Sequence, residues 1–203
     1  MGKRYNQVYQ FKITLKYIEP KIWRVIQVPE TYTFWDFHVA IQDAMGWVDC
    51  HLHEFFVKDP LTRKKIRIGI PAEEEFFVEE TIPGWKVMIA DCFSKRNKNA
   101  DYTYDFGDDW QHIIKLEKIL PKDKEQTYPR CIAGERACPP EDCGSIPGYE
   151  KILDMLKNPD PNNEEYQETM KWLGGSYDPE YFDPSKVFFD DPEERLKTFF
   201  EFH

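Results

Sequence analysis

The chain has 203 residues and carries 37 Asp and Glu against 27 Lys and Arg, which gives a formal net charge of -10. This balance argues against a general affinity for nucleic acid or anionic membranes, because proteins bind polyanions by neutralising phosphates with Lys and Arg. The length suits a single domain with its own core. We therefore expect one domain over 1–203, strand-rich over 1–120 and with a cysteine loop and helices over 121–203.

The sequence shows no signal for export or for a membrane. Its start, MGKRYNQVYQF, lacks the apolar stretch of a signal peptide, and the chain has no run of about 18 apolar residues. Five cysteines are an odd number, which fits reduced thiols better than a disulfide framework. We expect a cytoplasmic protein without a membrane partner.

Two strands are predicted at the start of the chain. Apolar and polar residues alternate over 8–18, where the apolar side chains of one parity are Tyr9, Phe11, Ile13, Leu15 and Tyr17. The segment Glu19-Pro20-Lys21 interrupts this pattern, and an apolar segment resumes over 22–28. A period of two with one polar face is typical of a half-buried strand, so the pattern predicts an antiparallel hairpin.

A helix is predicted next, over 33–45. Thr33 is followed three residues later by Asp36, which is close to a capping box, and Gly46 is well placed to end the helix. The apolar residues between them recur at helical spacing. We expect this helix to pack on one face of the sheet.

Further strands are predicted over 51–57 and 66–70. A second hairpin is predicted from strands 101–106 and 110–118, which alternate on either side of Gly107-Asp108-Asp109.

The C-terminal part is predicted to form loops and helices. One helix carries Tyr149 to Leu156, Asn162 caps another that reaches Leu173, and Asp191 begins the last with Pro192 at its first position. Strands early in the chain and helices late predict an α+β fold, with an antiparallel sheet of two or more hairpins, helices packed on it and a helical C-terminal part.

Four separated segments resemble the plasmid pRiA4b ORF-3-like family, and the likeness runs from about Tyr9 to Val187. They are HLHEFF (51–56), YTYDFGDDWQH (102–112), CIAGERACPPEDCG (131–144) and WLGGSYDPEYFD (172–183). The resemblance implies a domain of unknown function, of which some members are labelled transposon passenger or resolvase-like. A serine recombinase needs a nucleophilic Ser flanked by Arg. Of the four serines only Ser94 lies near an Arg in sequence, so a DNA-acting role is the least favoured interpretation.

The cysteine segment is a candidate metal site. Cys131, Cys138 and Cys143 have the spacing C-x6-C-x4-C, and His112, His51 or His53 would supply a fourth ligand for one zinc ion. His51 and His53 would share one face of a strand. Buried thiols in a compact loop and hydrogen-bonded histidines explain the same residues without a metal.

The segment around Gly107 is a second candidate site. Its members are Tyr104, Asp105, Gly107, Asp108 and Trp110. The carboxylates would act as a general base or bind a hard cation. Alternatively they belong to a turn, in which glycine supplies a positive φ and Asp bonds its own backbone.

Two functions remain open at this point, besides a DNA-acting protein of mobile elements. One is a non-enzymatic binding module, whose aromatic surface or acidic segment 73–80 docks an unknown protein partner. The other is a metal-dependent hydrolase that uses the Cys/His set, with Asp105 or Asp108 as base. We favour the binding module, because the sequence contains no complete catalytic set.

Overall fold

Residues 4–71 and 80–202 are described by the computed structural model. The acidic segment 73–80 therefore lies outside the described residues, apart from Glu80. Every helix among the described residues is too short or too polar to span a lipid bilayer.

The described strands form one mixed sheet of eight, in the order β5-β4-β3-β6-β7-β1-β2-β8. They are β1 (Gln7–Leu15), β2 (Trp23–Pro29), β3 (His53–Lys58), β4 (Lys65–Gly69), β5 (Thr81–Pro83), β6 (Asn99–Tyr104), β7 (Trp110–Pro121) and β8 (Arg130–Glu135). Each neighbouring pair is antiparallel except β4 and β5. The predicted α+β class is confirmed. The parallel pair differs from the predicted antiparallel sheet, because three residues of β5 are too few to show a period.

Both predicted hairpins are present. β1 pairs with β2 so that Tyr9 lies opposite Val28, and β6 pairs with β7 so that Tyr104 lies opposite Trp110. Tyr9, Phe11, Ile13 and Leu15 of β1 are buried, as their parity predicts. Tyr17 was predicted on the same face but is 70% exposed, because β1 ends at Leu15 and Tyr17 turns the chain at φ 64°. β8 was not among the predicted strands. It is the first part of the cysteine segment, and it extends the sheet edge by pairing with β2.

Helix α1 (Phe34–Met45) carries the predicted cap. The Thr33 hydroxyl accepts from the Asp36 N–H, the Asp36 carboxylate accepts from the Thr33 N–H, and Gly46 ends the helix at φ 97°. Phe37 of this helix lies 4.5 Å, between ring centres, from Phe11 of β1. Burying one such ring contributes about 1.5–3 kcal/mol, so this contact helps to fix α1 on the sheet.

Four more helices follow in the described residues, namely α2 (Ile89–Cys92), α3 (Ser145–Lys157), α4 (Glu164–Trp172) and α5 (Pro192–Phe202). The cap of α4 is Asn163, whose side chain accepts from the Tyr166 N–H, one residue later than predicted. α5 packs against α1, where the Trp35 indole donates to the Pro192 carbonyl over 3.0 Å.

Candidate functional site

Three loops meet at one end of the sheet, where β6 ends and β3 and β7 begin. They are the α1–β3 loop (residues 46–52), the β6–β7 turn (residues 105–109) and the β8–α3 loop (residues 136–144), which together we name the three-loop junction. The Trp47 indole donates to the Pro139 carbonyl over 3.0 Å, and the Gly144 N–H donates to the Asp108 carboxylate over 3.1 Å. The junction is therefore held by contacts between residues far apart in sequence.

The β6–β7 turn is built by its carboxylates. Asp105 and Asp109 have φ of 56° and 55°, while Gly107 does not need a positive φ, so that part of the turn prediction is wrong. The Asp105 carboxylate stabilises the turn, because it accepts a hydrogen bond from the Gly107 N–H over 2.9 Å. A Cβ at Gly107 would lie 3.2 Å from that carboxylate, so a side chain here would crowd it.

Tyr104 joins two of the loops through its hydroxyl. It donates to the Glu141 carboxylate over 2.5 Å and accepts from the Cys50 N–H over 3.1 Å. Burial and the bond to Glu141 raise the pKa of Tyr104, so the phenol keeps its proton. Glu141 also accepts from the Val48 N–H over 2.9 Å. The Glu141 carboxylate thus holds the backbone directly at Val48 and, through the Tyr104 hydroxyl, at Cys50.

Potential metal ligands meet at the surface of this junction. Cys50, His51 and Asp142 each offer one ligand atom, and the three atoms lie within 4.8 Å of one another. The His51 Nε2 lies 2.9 Å from Asp142 Oδ1 and 3.6 Å from Asp105 Oδ2. Burial raises the pKa of the Cys50 thiol, and the charge of Glu141 adds to this effect.

The cysteines predicted as ligands lie elsewhere. Cys131 is on β8, with its Sγ 3.5 Å from the Ala133 carbonyl, and Cys138 and Cys143 lie in the β8–α3 loop against the core. Within the described residues, these three thiols belong to no group of three ligand atoms that converge within 4.8 Å. Burial raises the pKa of Cys143 to about 12. A zinc ion on these thiols stays a prediction.

The three candidate histidines do not come together at one site either. β3 begins at His53, so His51 lies in the α1–β3 loop and only His51 joins the cluster. His53 is buried and stacks on His38, with ring centres 3.4 Å apart. His112 is buried beside Trp47 and Tyr102, and burial lowers its pKa to about 3. Trp110 is buried too, so the members of the second candidate set that take part in the junction are Tyr104, Asp105, Gly107 and Asp108.

A cleft of about 970 Å³ opens beside the junction, between the end of α1, the β8–α3 loop and the segment 172–190. Its wall includes Arg24 of β2, which the sequence analysis did not single out. The Arg24 guanidinium stacks 3.6 Å from the ring centre of Phe182 and donates to the carbonyls of Ala44 and Glu135 over 2.8 and 2.9 Å. The available signal in the sequence was that Arg24 is the one charged residue of β2.

Comparison with known proteins agrees with this architecture. The model of the family described as plasmid pRiA4b ORF-3-like protein matches residues 7–186. The chain belongs to this family. An uncharacterized protein, y4hQ, from Sinorhizobium fredii (strain NBRC 101917 / NGR234) is 35% identical over 170 residues, covering 83% of this chain and 82% of its own.

A solved structure gives a second relative. The crystal structure of MM3350, a protein of unknown function from Methanosarcina mazei Go1, is 48% identical and superposes with a TM-score of 0.83. The match covers 92% of this chain and 100% of that one. Three of the four segments that resemble the pRiA4b ORF-3-like family meet at the three-loop junction, and the fourth, 172–183, borders the cleft.

Proposed function

We propose that this protein is a binding module whose cleft takes an extended segment of a partner protein. The segment would carry one large apolar side chain and one cationic side chain. The volume of about 970 Å³ is within the range that ligand sites occupy.

Exposed apolar side chains around the cleft are the observation that carries this proposal. Four large ones line it, namely Val48, Trp172, Tyr181 and Phe188, with exposed fractions of 73%, 51%, 57% and 79%. Single exposed apolar residues are ordinary on protein surfaces, but a group of them beside a concavity is typical of an interaction site. Aromatic residues are also enriched in the centres of protein interfaces.

The charges of the cleft favour a cationic group on the ligand. Four carboxylates line it against three cations, and the whole chain has a net charge of -10. Two of the cations and two of the carboxylates are already engaged, which leaves Glu141 and Asp183 against Lys186. Arg195 is paired with Asp43, Asp49 and Asp190, and Arg24 is held by backbone carbonyls and by Phe182. Glu141 accepts from Tyr104 and from the Val48 N–H but forms no ion pair with a Lys, Arg or His among the described residues, so no cation neutralises its charge.

The experiment is a titration of the protein with three peptides of equal length, followed by NMR and by tryptophan fluorescence. One peptide contains Phe and Lys, the second Phe and Glu, and the third only Gly and Ser. We expect saturable shifts of the cleft signals with the first peptide, weaker shifts with the second and none with the third. Duplex DNA at physiological salt, the fourth probe, is expected to give no complex because of the negative charge.

Two single variants provide the control. Phe188→Ala should weaken binding of the Phe/Lys peptide, while Phe106→Ala removes an aromatic ring of comparable exposure that does not line the cleft and should leave binding unchanged. Equal loss in both variants, or equal binding of all three peptides, would overturn the proposal.

A further inference from the structure

We infer that Cys50, His51 and Asp142 form a binding site for one zinc ion, open to water at its fourth position. The site differs from the one predicted from the cysteine spacing, because it uses His51 but none of Cys131, Cys138 and Cys143. It does not depend on the proposed peptide cleft.

The geometry of the three ligand atoms carries this inference. A thiol sulfur, an imidazole nitrogen and a carboxylate oxygen lie within 4.8 Å of one another, and His51 Nε2 is already 2.9 Å from Asp142 Oδ1. Ligands of one tetrahedral zinc ion lie about 3–4 Å apart, given bonds of about 2.0–2.3 Å. Small side-chain rotations would therefore suffice to close the site.

The type of ligand selects the metal. Thiolate and imidazole are ligands for zinc and its neighbours, whereas calcium and magnesium prefer sites made of oxygen alone. Three protein ligands leave one position of a tetrahedron for a water molecule. Asp105 Oδ2 lies 3.6 Å from His51 Nε2, and it is the carboxylate oxygen that the turn does not use, so it is placed to accept a hydrogen bond from that water.

The backbone around the ligands is fixed by neighbouring residues. Tyr104 accepts from the Cys50 N–H, and Glu141, next to Asp142, accepts from Tyr104 and from the Val48 N–H. Such partners orient ligands before the metal arrives, which is how outer hydrogen bonds act in metal sites. The three-loop junction thus supplies both the ligands and their support.

A pocket beside the ligands provides an independent observation. This pocket of about 360 Å³ is lined by Cys50 and His51 and also by His53. His53 is 2% exposed, and neither of its ring nitrogens has a hydrogen-bond partner among the described residues. Buried polar side chains are nearly always hydrogen-bonded, so an unpartnered one in a pocket wall indicates that a polar group binds there.

The test uses the full chain after removal of metal with a chelator. We expect calorimetric titration with Zn²⁺ to give one site per chain with low micromolar or tighter affinity. Titration with Co²⁺ should give sulfur-to-metal charge-transfer absorption, which reports a thiolate ligand directly. Cys50→Ser should abolish that absorption, and Cys50→Ser, His51→Gln and Asp142→Asn should each weaken zinc binding about tenfold or more.

Cys131→Ser is the matched control, since it removes a thiol of the sequence-predicted set and leaves Cys50 in place. We expect it to keep both the affinity and the cobalt spectrum. The inference is overturned if the metal-free protein binds no zinc at micromolar concentrations. It is also overturned if Cys131→Ser abolishes zinc binding while Cys50→Ser retains it. Phe188→Ala should leave zinc binding unchanged, so failure of the peptide cleft and failure of the metal site are distinguishable.

Discussion

The aromatic core and the three-loop junction are built in opposite ways. In the core, Phe11 of β1, Phe37 of α1 and Phe55 of β3 pack ring against ring between regular elements. In the junction, irregular backbone is joined by side-chain oxygens, above all by Asp108 and Glu141. The core distributes its stability over many weak contacts, whereas the junction relies on a few directional bonds. We expect the two regions to respond differently to mutation and to pH.

The largest effect is expected from a cavity in the core. Phe37→Ala should lower the free energy of unfolding by about 3–5 kcal/mol, because the ring is fully buried and its neighbours can collapse only in part. Urea denaturation at neutral pH measures this difference. Phe188→Ala removes the same side chain at an exposed position and should cost only about 0.5 kcal/mol or less. If Phe37→Ala and Phe188→Ala lowered the free energy of unfolding by similar amounts, α1 would not cover the core as described.

A smaller effect is expected where the two regions meet, at His112. Burial lowers the pKa of His112 from 6.5 to about 3, so the unfolded chain takes up a proton near pH 6.5 and the folded chain does not. The contribution of His112 to the free energy of unfolding is therefore fully present above pH 6.5. It falls by about 1.4 kcal/mol per pH unit as the pH drops towards 3. Between pH 7 and pH 5 we expect the wild type to lose about 2 kcal/mol more than His112→Gln, which does not titrate.

Unfolding curves at several pH values measure this difference. Parallel pH dependences in the wild type and His112→Gln would mean that His112 takes up its proton in the folded state as well.

The smallest effect is expected in the junction itself. Glu141→Ala removes the acceptor of the Tyr104 hydroxyl and the Val48 N–H, and water can replace it in part because the loops are near the surface. We expect a loss of about 1–2 kcal/mol, together with faster amide exchange at Val48 and Cys50. Glu168→Ala, on the exposed side of α4, is the control and should change neither quantity. Unchanged exchange at Cys50 in Glu141→Ala would show that Tyr104 holds this loop without Glu141.

The same contrast explains what the sequence could predict. The hairpins β1–β2 and β6–β7 and helix α1 were predicted because alternation, helical spacing and the Thr33–Asp36 cap are local patterns. The partnership of His51 with Asp142, and of Tyr104 with Glu141, was not predicted, since each joins residues that only the complete sheet brings together. Cysteine spacing pointed to the β8–α3 loop, but it could not show that β8 takes Cys131 into the sheet edge or that the loop brings Asp142 to His51. Cys50 lacked any motif of its own.

The stacking of Phe182 on Arg24 links the cleft to the integrity of the whole fold. A Cβ at Gly134 of β8 would lie 2.4 Å from the Phe182 ring, so the ring occupies space that only this glycine leaves open. The cleft wall is therefore complete only when β2 and β8 are paired and the late segment has closed a long loop onto them. A ligand bound as proposed would select the fully closed population, and its apparent affinity would fall in proportion to that population. Substitutions on distant strands should accordingly weaken binding, without touching the ligand, once they leave an appreciable fraction of the chains open.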